Sequence, residues 1–202
     1  MNGLLDINTP NGQKTLPQVD RAYEIFEQRF PGFMVISTIE DRAADNDSFV
    51  CQVVGKRPVV RAVVEVKCRN ETLRKMHGTG EHDYHSEWLI TLDKLKRCGA
   101  IAASLKVPFI GLCYLVPDDI LLVQRIYNWD GSKATDIRDE WGVTDATCNG
   151  GKANRLNAYV KVHDKGDWKP TQVWALNDPV LPTTPYEPED DPFYDPRFKP
   201  RR

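Results

Sequence analysis

The sequence lacks several features that would assign a protein to a common class. No apolar run approaches the roughly 20 residues that a membrane helix needs, so we expect no membrane-spanning segment and no membrane partner. The first residues, MNGLLDINTPNGQK, do not join a charged start to an apolar stretch, as a secretory signal would. Phosphate loops of the GxxxxGK(S/T) or GxGxxG type are absent, which argues against nucleotide hydrolysis and dinucleotide chemistry.

An excess of positive charge is also missing. The 27 lysines and arginines face 29 aspartates and glutamates, and the formal net charge is -2. This balance argues against a broad basic surface of the kind that binds nucleic acid. It does not exclude a nucleic-acid enzyme, because a metal-dependent nuclease gathers acidic residues at its centre and can keep basic residues in patches.

Cysteine is sparse and irregularly spaced. The five cysteines form no CxxC pair, so spacing gives a zinc site no support. Cys51, Cys68 and Cys113 lie in apolar runs typical of strands, and the other two are Cys98 and Cys148. We therefore expect buried free thiols in a reducing, cytoplasmic compartment.

The chain of 202 residues is long enough to bury a substantial core. Its hydrophobic content of 41% and charged content of 28% are ordinary for a globular protein. We predict one domain over residues 1–176, with its core over 17–127, and a separate tail over 177–202.

The most informative stretch is Val59–Arg69, which reads VVRAVVEVKCR. Its β-branched residues favour a strand. Side chains alternate between the two faces of a strand, so Glu65 and Lys67 point the same way. Two charges inside an apolar strand are costly unless they are paired or used. A divalent metal and a scissile phosphate would use both groups; the alternative is a surface ion pair on an edge strand.

A helix and two strands are predicted ahead of this stretch. Residues 1–16 look irregular, and Pro17 can open a helix because its missing N–H is not needed there. An apolar stripe continues this helix to about Phe30. Phe33–Ile39 and Ser48–Val54 have strand character and are joined by the acidic connection EDRAADND. The turn sequence GKRP then predicts a hairpin between Ser48–Val54 and the valine-rich strand.

A long loop, a helix and two strands are predicted after it. Asn70–Glu87 is polar and is predicted as a loop. A short apolar run leads into a helix from about Leu92 to Lys106. Phe109–Val116 and Ile120–Ile126 then have strand character.

The last third of the chain gives weaker signals. Asn157–Val162 and Thr171–Leu176 are predicted to form a late hairpin. Seven of the fourteen prolines lie in the tail over 177–202, where they can neither continue a helix nor donate to a sheet. We predict that this tail is extended or disordered.

In this order of elements the chain resembles the PD-(D/E)xK nuclease superfamily, which includes many restriction endonucleases. The resemblance covers roughly residues 17–127. It rests on Asp47 ahead of one strand, on Glu65-Val66-Lys67 in the next, and on the helix and strand that follow. It implies an α/β fold with a mixed central β-sheet flanked by helices. It also implies a Mg²⁺- or Mn²⁺-dependent deoxyribonuclease that hydrolyses phosphodiester bonds to a 5′-phosphate and a 3′-hydroxyl.

The resemblance assigns a role to each motif residue. Asp47 and Glu65 would bind the metal, and the backbone carbonyl of Val66 would complete an oxygen-rich shell that suits a hard cation. Lys67 would orient and help deprotonate the attacking water, or stabilise the transition state. Lys94, in the first turn of the second helix, would reach the phosphate; the alternative is a lysine whose stem covers apolar surface.

Other acids could take part in such a site. Asp47 could instead be a turn residue, as Asp45 and Asp41 could; Asp47 is preferred over Asp45 because it lies directly ahead of the strand Ser48–Val54. Members of the superfamily often add a carboxylate from the first helix. Asp20, Glu24 and Glu27 are the candidates, and spacing does not choose among them.

The predicted loop carries three histidines, His77, His82 and His85. A zinc site is the weaker interpretation, because no cysteine accompanies them and no helix is predicted to support them. Contact with phosphate is the stronger interpretation, because basic residues cluster over 69–77, just after the candidate active-site strand.

Three functions of different classes are open from the sequence. The first is the nuclease, with DNA as its partner and a homodimer as the assembly that would cut two strands. The second is a non-catalytic nucleic-acid-binding or protein-binding module on the same fold. The third is a small-molecule enzyme with Lys67 as a Schiff-base lysine, which nothing else in the chain supports. The sequence chooses neither between DNA and RNA nor between endonuclease and exonuclease action.

Overall fold

The computed structural model describes residues 10–38, 45–54, 56–77, 87–145, 152–161 and 171–175. The helices are α1 (Pro10–Arg29), α2 (Leu73–His77) and α3 (Leu92–Leu105). The strands are β1 (Phe33–Ser37), β2 (Ser48–Val54), β3 (Arg57–Arg69), β4 (Glu87–Thr91), β5 (Phe109–Leu115), β6 (Ile120–Tyr127), β7 (Ile137–Asp145), β8 (Lys152–Lys161) and β9 (Thr171–Ala175). The predicted tail over 177–202 lies outside the described residues.

A mixed six-stranded sheet forms the centre of the fold, in the order β1-β2-β3-β5-β6-β9. β3 and β5 are parallel, and the other neighbours are antiparallel. A parallel pair needs a crossover connection, which the segment through α2, β4 and α3 supplies. The predicted α/β class with a mixed central sheet is confirmed.

One face of the central sheet is covered by α1. Ala22, Tyr23 and Phe26 of this helix are buried in one cluster with Val64 and Val66 of β3. Burying a large apolar side chain contributes about 1.5–3 kcal/mol. The helix is therefore held mainly by its apolar stripe.

The opposite face carries α3 and a second, three-stranded sheet in the order β4-β8-β7. Leu95 and Cys98 of α3 are buried in the cluster on this side. Trp88 of β4 lies directly over Gly111 of β5, where a Cβ atom would come within 2.2 Å of the ring atom Cζ2. Glycine at 111 therefore lets the small sheet approach the central one.

Several predicted boundaries agree with the structure. β2 spans the predicted Ser48–Val54, and α3, β5 and β6 each end within one residue of the prediction. The hairpin is confirmed, since β2 and β3 pair from Val54 and Arg57 onward. β1 ends at Ser37, and the predicted end at Ile39 lies outside the described residues.

The predicted start of the first helix is wrong. α1 begins at Pro10, so part of the supposedly irregular lead-in is helical and Pro17 lies inside the helix. Proline removes one amide donor, yet it keeps a helical φ. Val19 and Ala22, on its C-terminal side, are buried against the sheet, and this burial offsets the lost hydrogen bond.

The predicted late hairpin is also wrong. β8 pairs with β4 and β7 in the small sheet, whereas β9 pairs with β6 at the edge of the central sheet. The prediction omits β7 because charged residues interrupt the apolar pattern of IRDEWGVTD. Closeness in sequence favours a hairpin, but burial against two different sheets decides this pairing.

The predicted loop over Asn70–Glu87 is wrong in part. Leu73–His77 forms α2, and Glu87 already belongs to β4. Met76 of α2 is fully buried in the α3-side cluster, so tertiary packing stabilises this short helix. Within the described ranges, no helix is long and apolar enough to cross a lipid bilayer.

Candidate active site

Glu65 is a fully buried carboxylate in the middle of β3. Its neighbours Val64 and Val66 are buried in the apolar cluster beneath α1. Because side chains alternate along a strand, Glu65 points to the other face, toward α3. Its partner on β5 is Gly111, and the Trp88 ring occupies the place where a side chain of residue 111 would be.

Asp47 comes just before β2, and backbone hydrogen bonds hold it beside β3. Its N–H donates to the Val64 carbonyl over 3.2 Å, and its own carbonyl accepts the Thr38 N–H over 2.8 Å. The β2–β3 pairing ends at Ser48 and Val64. Beyond that pair, the Asp47 carboxylate takes the place of a backbone carbonyl in the ladder, since its Oδ2 accepts the Val66 N–H over 3.0 Å.

Two ammonium groups complete the cluster. Lys67 follows Glu65 on β3, and its Nζ donates to Glu65 Oε1. Lys94, in the first turn of α3, donates to Asp47 Oδ1, and its Nζ lies 3.2 Å from Glu65 Oε2. The structure thus brings together the four side chains that the sequence singled out as catalytic.

Burial and mutual attraction shift the pKa values within this cluster. Burial raises the pKa of Asp47, but the Lys67 and Lys94 ammonium groups outweigh it, so the net pKa lies below the ordinary value. Burial raises the pKa of Glu65 to about 6, although Lys67 opposes the shift. Burial lowers the pKa of Lys94, but the two carboxylates outweigh it and the net pKa is raised. Asp47 is therefore ionised at neutral pH, and Lys94 is an ammonium.

The oxygen atoms of the cluster fit a hard divalent cation. Asp47 and Glu65 supply two carboxylates, and the buried Glu65 Oε2 has an ion pair with Lys94 but no hydrogen bond. The N–H and C=O of a strand residue point to the same side, so the Val66 carbonyl faces Asp47 beyond the last β2–β3 pair. In the described ranges, no three His, Cys, Asp or Glu side chains converge on one point. A metal here would depend on that carbonyl and on water for its further ligands.

Asp45, an alternative to Asp47, lies outside the cluster. Its exposed carboxylate accepts a hydrogen bond from Arg97 Nη1 over 2.7 Å, and its carbonyl accepts one from Cys98 Sγ over 3.6 Å. Lys94, Arg97 and Cys98 follow one face of α3 at i, i+3 and i+4. Arg97 and Cys98 thus hold the segment that leads to Asp47. The sequence prediction did not give them this role, although their spacing of three and four residues from Lys94 places them on the same face of the helix.

The structure does not bring the carboxylates of the first helix to the cluster. α1 covers the face of the sheet opposite to Glu65. Glu24 pairs with Arg21 at 3.1 Å, and Glu27 accepts the Val35 N–H over 2.7 Å. Asp20 is exposed on the same helix. Nothing in this arrangement assigns a metal ligand to α1.

Two side chains of the basic stretch over 69–77 make contacts within the protein. The Nη2 atom of Arg69 donates to the Leu89 carbonyl over 3.2 Å, and Lys75 pairs with Glu71 at 2.6 Å. These contacts tie the stretch to β4 and to itself. Some predicted candidates lie outside the described residues or have side chains outside them: Asp41, His77, His82 and His85.

Comparison with known proteins gives this chain no relative. No protein-family model, no curated protein and no solved structure matches it. The function therefore has to be inferred from the geometry of the cluster.

Proposed function

We propose that this chain is a metal-dependent deoxyribonuclease that hydrolyses phosphodiester bonds. The observation that supports the proposal is the convergence of Asp47, Glu65, Lys67 and Lys94 at one point of the sheet. They come from β3, from α3 and from the segment ahead of β2. Charged groups are costly to bury, so their convergence from separate elements favours a chemical use.

Each residue has a role that its position supports. Asp47, Glu65 and the Val66 carbonyl would hold Mg²⁺ or Mn²⁺, which supplies polarisation of the phosphate and a lowered pKa of bound water. Lys67, whose Nζ donates a hydrogen bond to Glu65, would orient the attacking water or stabilise negative charge in the transition state. Lys94 keeps its charge and would bind a phosphate oxygen, where it offsets the negative charge that grows in the transition state.

A non-catalytic binding module is the second candidate, and one observation favours it. Two ammonium groups face two carboxylates, so the cluster is neutral within itself. Such a set could serve the fold alone. Against this, buried ion pairs often contribute little net stability compared with apolar residues of the same volume.

A cleavage assay with Mg²⁺ and with Mn²⁺ tests the nuclease. Wild type, Glu65→Gln and Lys67→Met would be compared on linear duplex, single-stranded, circular and four-way-junction DNA, with RNA as a further substrate. The ion pair between Glu71 and Lys75 lies outside the cluster, so Glu71→Gln is the matched control. We expect metal-dependent cleavage by wild type and Glu71→Gln, and its loss in both cluster variants.

Two results would contradict the proposal. One is the absence of Mn²⁺ binding that depends on Glu65. The other is equal cleavage by wild type and Glu65→Gln, which would identify a contaminant. If wild type binds DNA without cutting any substrate, and Glu65→Ala binds it equally well, the binding module is supported instead. DNA as partner and a cytoplasmic location are predictions that belong to this proposal.

A further inference from the structure

β7 is a long and regular edge strand. Among the described residues, β8 is its one partner in the three-stranded sheet. The strand has nine residues, contains no proline, and pairs with β8 without a register shift. Proteins that keep such edges free usually shorten them or add a bulge, a proline or charged side chains. β7 has charged side chains, but Arg138 is already paired with Glu87 and Glu140 of its own sheet, so its open side keeps the character of a pairing surface.

The same strand exposes a large apolar face. Ile137 packs against the α3-side core and pairs with Val160 of β8. The exposed Asp139, then Trp141 and Val143, follow on the same face with period 2. Trp141 and Val143 are each 66% exposed. A tryptophan and a valine side by side on an unpaired edge indicate an interface.

We propose that β7 pairs with β7 of a second copy of this chain. The two strands would run antiparallel about a twofold axis through Trp141. The two three-stranded sheets would then form one continuous sheet. This proposal does not depend on the nuclease activity.

Symmetry limits the registers that such a pair can adopt. A twofold axis perpendicular to the sheet keeps each side chain on its own face. Residues opposite each other in an antiparallel pair also share a face. One residue of β7 must therefore lie opposite its own copy. Trp141 is the middle residue of Ile137–Asp145, so only a pair centred on it uses the whole strand.

The charges of β7 favour the same register. A pair centred on Arg138, Asp139 or Glu140 would place two like charges directly opposite each other, which is destabilising. A pair centred on Gly142 would leave Ile137 and Arg138 without a partner in the other copy of β7. The remaining choice that keeps most of the strand paired is the one centred on Trp141.

The register centred on Trp141 has no like-charge contact. Glu140 lies opposite Gly142 of the partner subunit, and Asp139 lies opposite Val143 of the partner subunit. The two Trp141 side chains meet at the axis, where an aromatic pair contributes favourably. Both exposed apolar residues are thus covered. Because the axis is perpendicular to the sheet, both copies present α3 and the Lys94 cluster on the same side.

Sedimentation equilibrium of the full chain tests the assembly. We expect wild type at twice the chain mass of 23.0 kDa, and Val143→Lys at the single mass, because a lysine on the edge opposes pairing. Val53 is 52% exposed on β2, so Val53→Lys is the matched control and should keep the dimer. Circular dichroism would show that each variant is folded.

Cross-linking tests the register. Trp141→Cys should form an intermolecular disulfide on mild oxidation, because residues at the axis have neighbouring Cβ atoms, whereas Val53→Cys should not. A monomeric wild type would overturn the proposal and would leave the face to another segment of this chain or to nucleic acid. A dimer that survives both Val143→Lys and Trp141→Lys would also overturn it, as would a dimer in which Trp141→Cys fails to cross-link.

Discussion

The Nζ atom of Lys94 lies 3.2 Å from Glu65 Oε2 and also donates to Asp47 Oδ1. One ammonium therefore joins the two carboxylates of the candidate site. Lys67 contacts the other Glu65 oxygen, Oε1. A divalent cation held by both carboxylates must compete with Lys94 for the same oxygen atoms, which makes this lysine a determinant of metal affinity.

Replacing Lys94 should strengthen metal binding while it removes the proposed phosphate contact. We expect Lys94→Met to bind Mn²⁺ at least about tenfold more tightly than wild type, which corresponds to about 1.4 kcal/mol. Lys67→Met should show a smaller gain because Lys67 contacts one carboxylate. Lys96→Met, exposed on the same helix, is the control for a general charge effect. Titration calorimetry measures all four proteins, and an unchanged or weaker affinity of Lys94→Met would contradict the expectation.

Stability should depend on pH through Glu65 in the absence of added metal. Burial raises its pKa from 4.5 to about 6, so the folded state holds this proton more tightly than the unfolded state. The stabilisation of the folded state by this proton is complete below pH 4.5 and is lost as the pH rises through about 6. Between these limits, wild type should lose about 2 kcal/mol of unfolding free energy relative to Glu65→Gln. Urea unfolding of both proteins across this range measures the difference, and parallel pH profiles would refute it.

A second pH effect should come from the ion pair that ties α1 to the turn before β6. Arg21 donates from Nη2 to Asp119 Oδ2 over 2.6 Å and from Nε to Oδ1 over 3.0 Å. These bonds hold the pKa of Asp119 below its usual range. The resulting stability is present above the unfolded pKa of about 3.9 and is lost as the pH falls through the lower folded value.

Asp119→Asn removes the charge of this pair, while the amide oxygen can still accept the hydrogen bond that the Tyr114 hydroxyl donates to Asp119. Asp119 has a φ of 52°, a left-handed conformation that asparagine also accepts. The side chain is 39% exposed, so solvent screening limits the expected loss to roughly 0.5–1 kcal/mol at neutral pH. Asp20→Asn, exposed on α1, should be neutral. Chemical unfolding at neutral and acidic pH makes the comparison, and a loss that persists in acid would exclude the ion pair as its cause.

The contact between the two sheets should be sensitive to a single methyl group. A Cβ atom at Gly111 would lie 2.2 Å from Trp88 Cζ2, so the rigid ring or the strand must move. We expect Gly111→Ala to lose about 1–3 kcal/mol of stability. Trp88→Phe removes the indole atoms Cζ2 and Cη2 that would clash, so the double variant should lose less stability than the sum of the single variants. Thermal unfolding of the four proteins closes this cycle, and simple additivity would count against the described contact.

Local patterns in the sequence were sufficient for much of the site. The valine-rich run predicts β3, and its period of two predicts that Glu65 and Lys67 share a face. The position of Asp47 directly ahead of an apolar strand predicts a residue at the end of a ladder. These features depend on steric and hydrogen-bonding preferences of neighbouring residues, so they can be recognised without any partner element.

The acidic residues of the first helix show what local patterns do not predict. Asp20, Glu24 and Glu27 have suitable chemistry, but α1 packs on the face opposite to Glu65. Lys94 was one of several lysines in the sequence, and only the packing of α3 places its Nζ between the two carboxylates. The face on which a helix packs is decided by burial against distant strands, which local spacing does not encode.

For β8 and β9, too, the local sequence predicts that each segment is a strand but not which strands it pairs with. The alternation in residues 157–161 and 171–175 predicts strands, and both segments are strands. β8 pairs with its neighbour in sequence, β7, but also with the remote β4, and β9 pairs with the remote β6. By itself, the sequence determined most of the extended segments, although not β7, and which face of β3 carries the charges. The tertiary structure decided which strands pair and which charges meet, because both depend on the apolar surface that each element buries against remote parts of the chain.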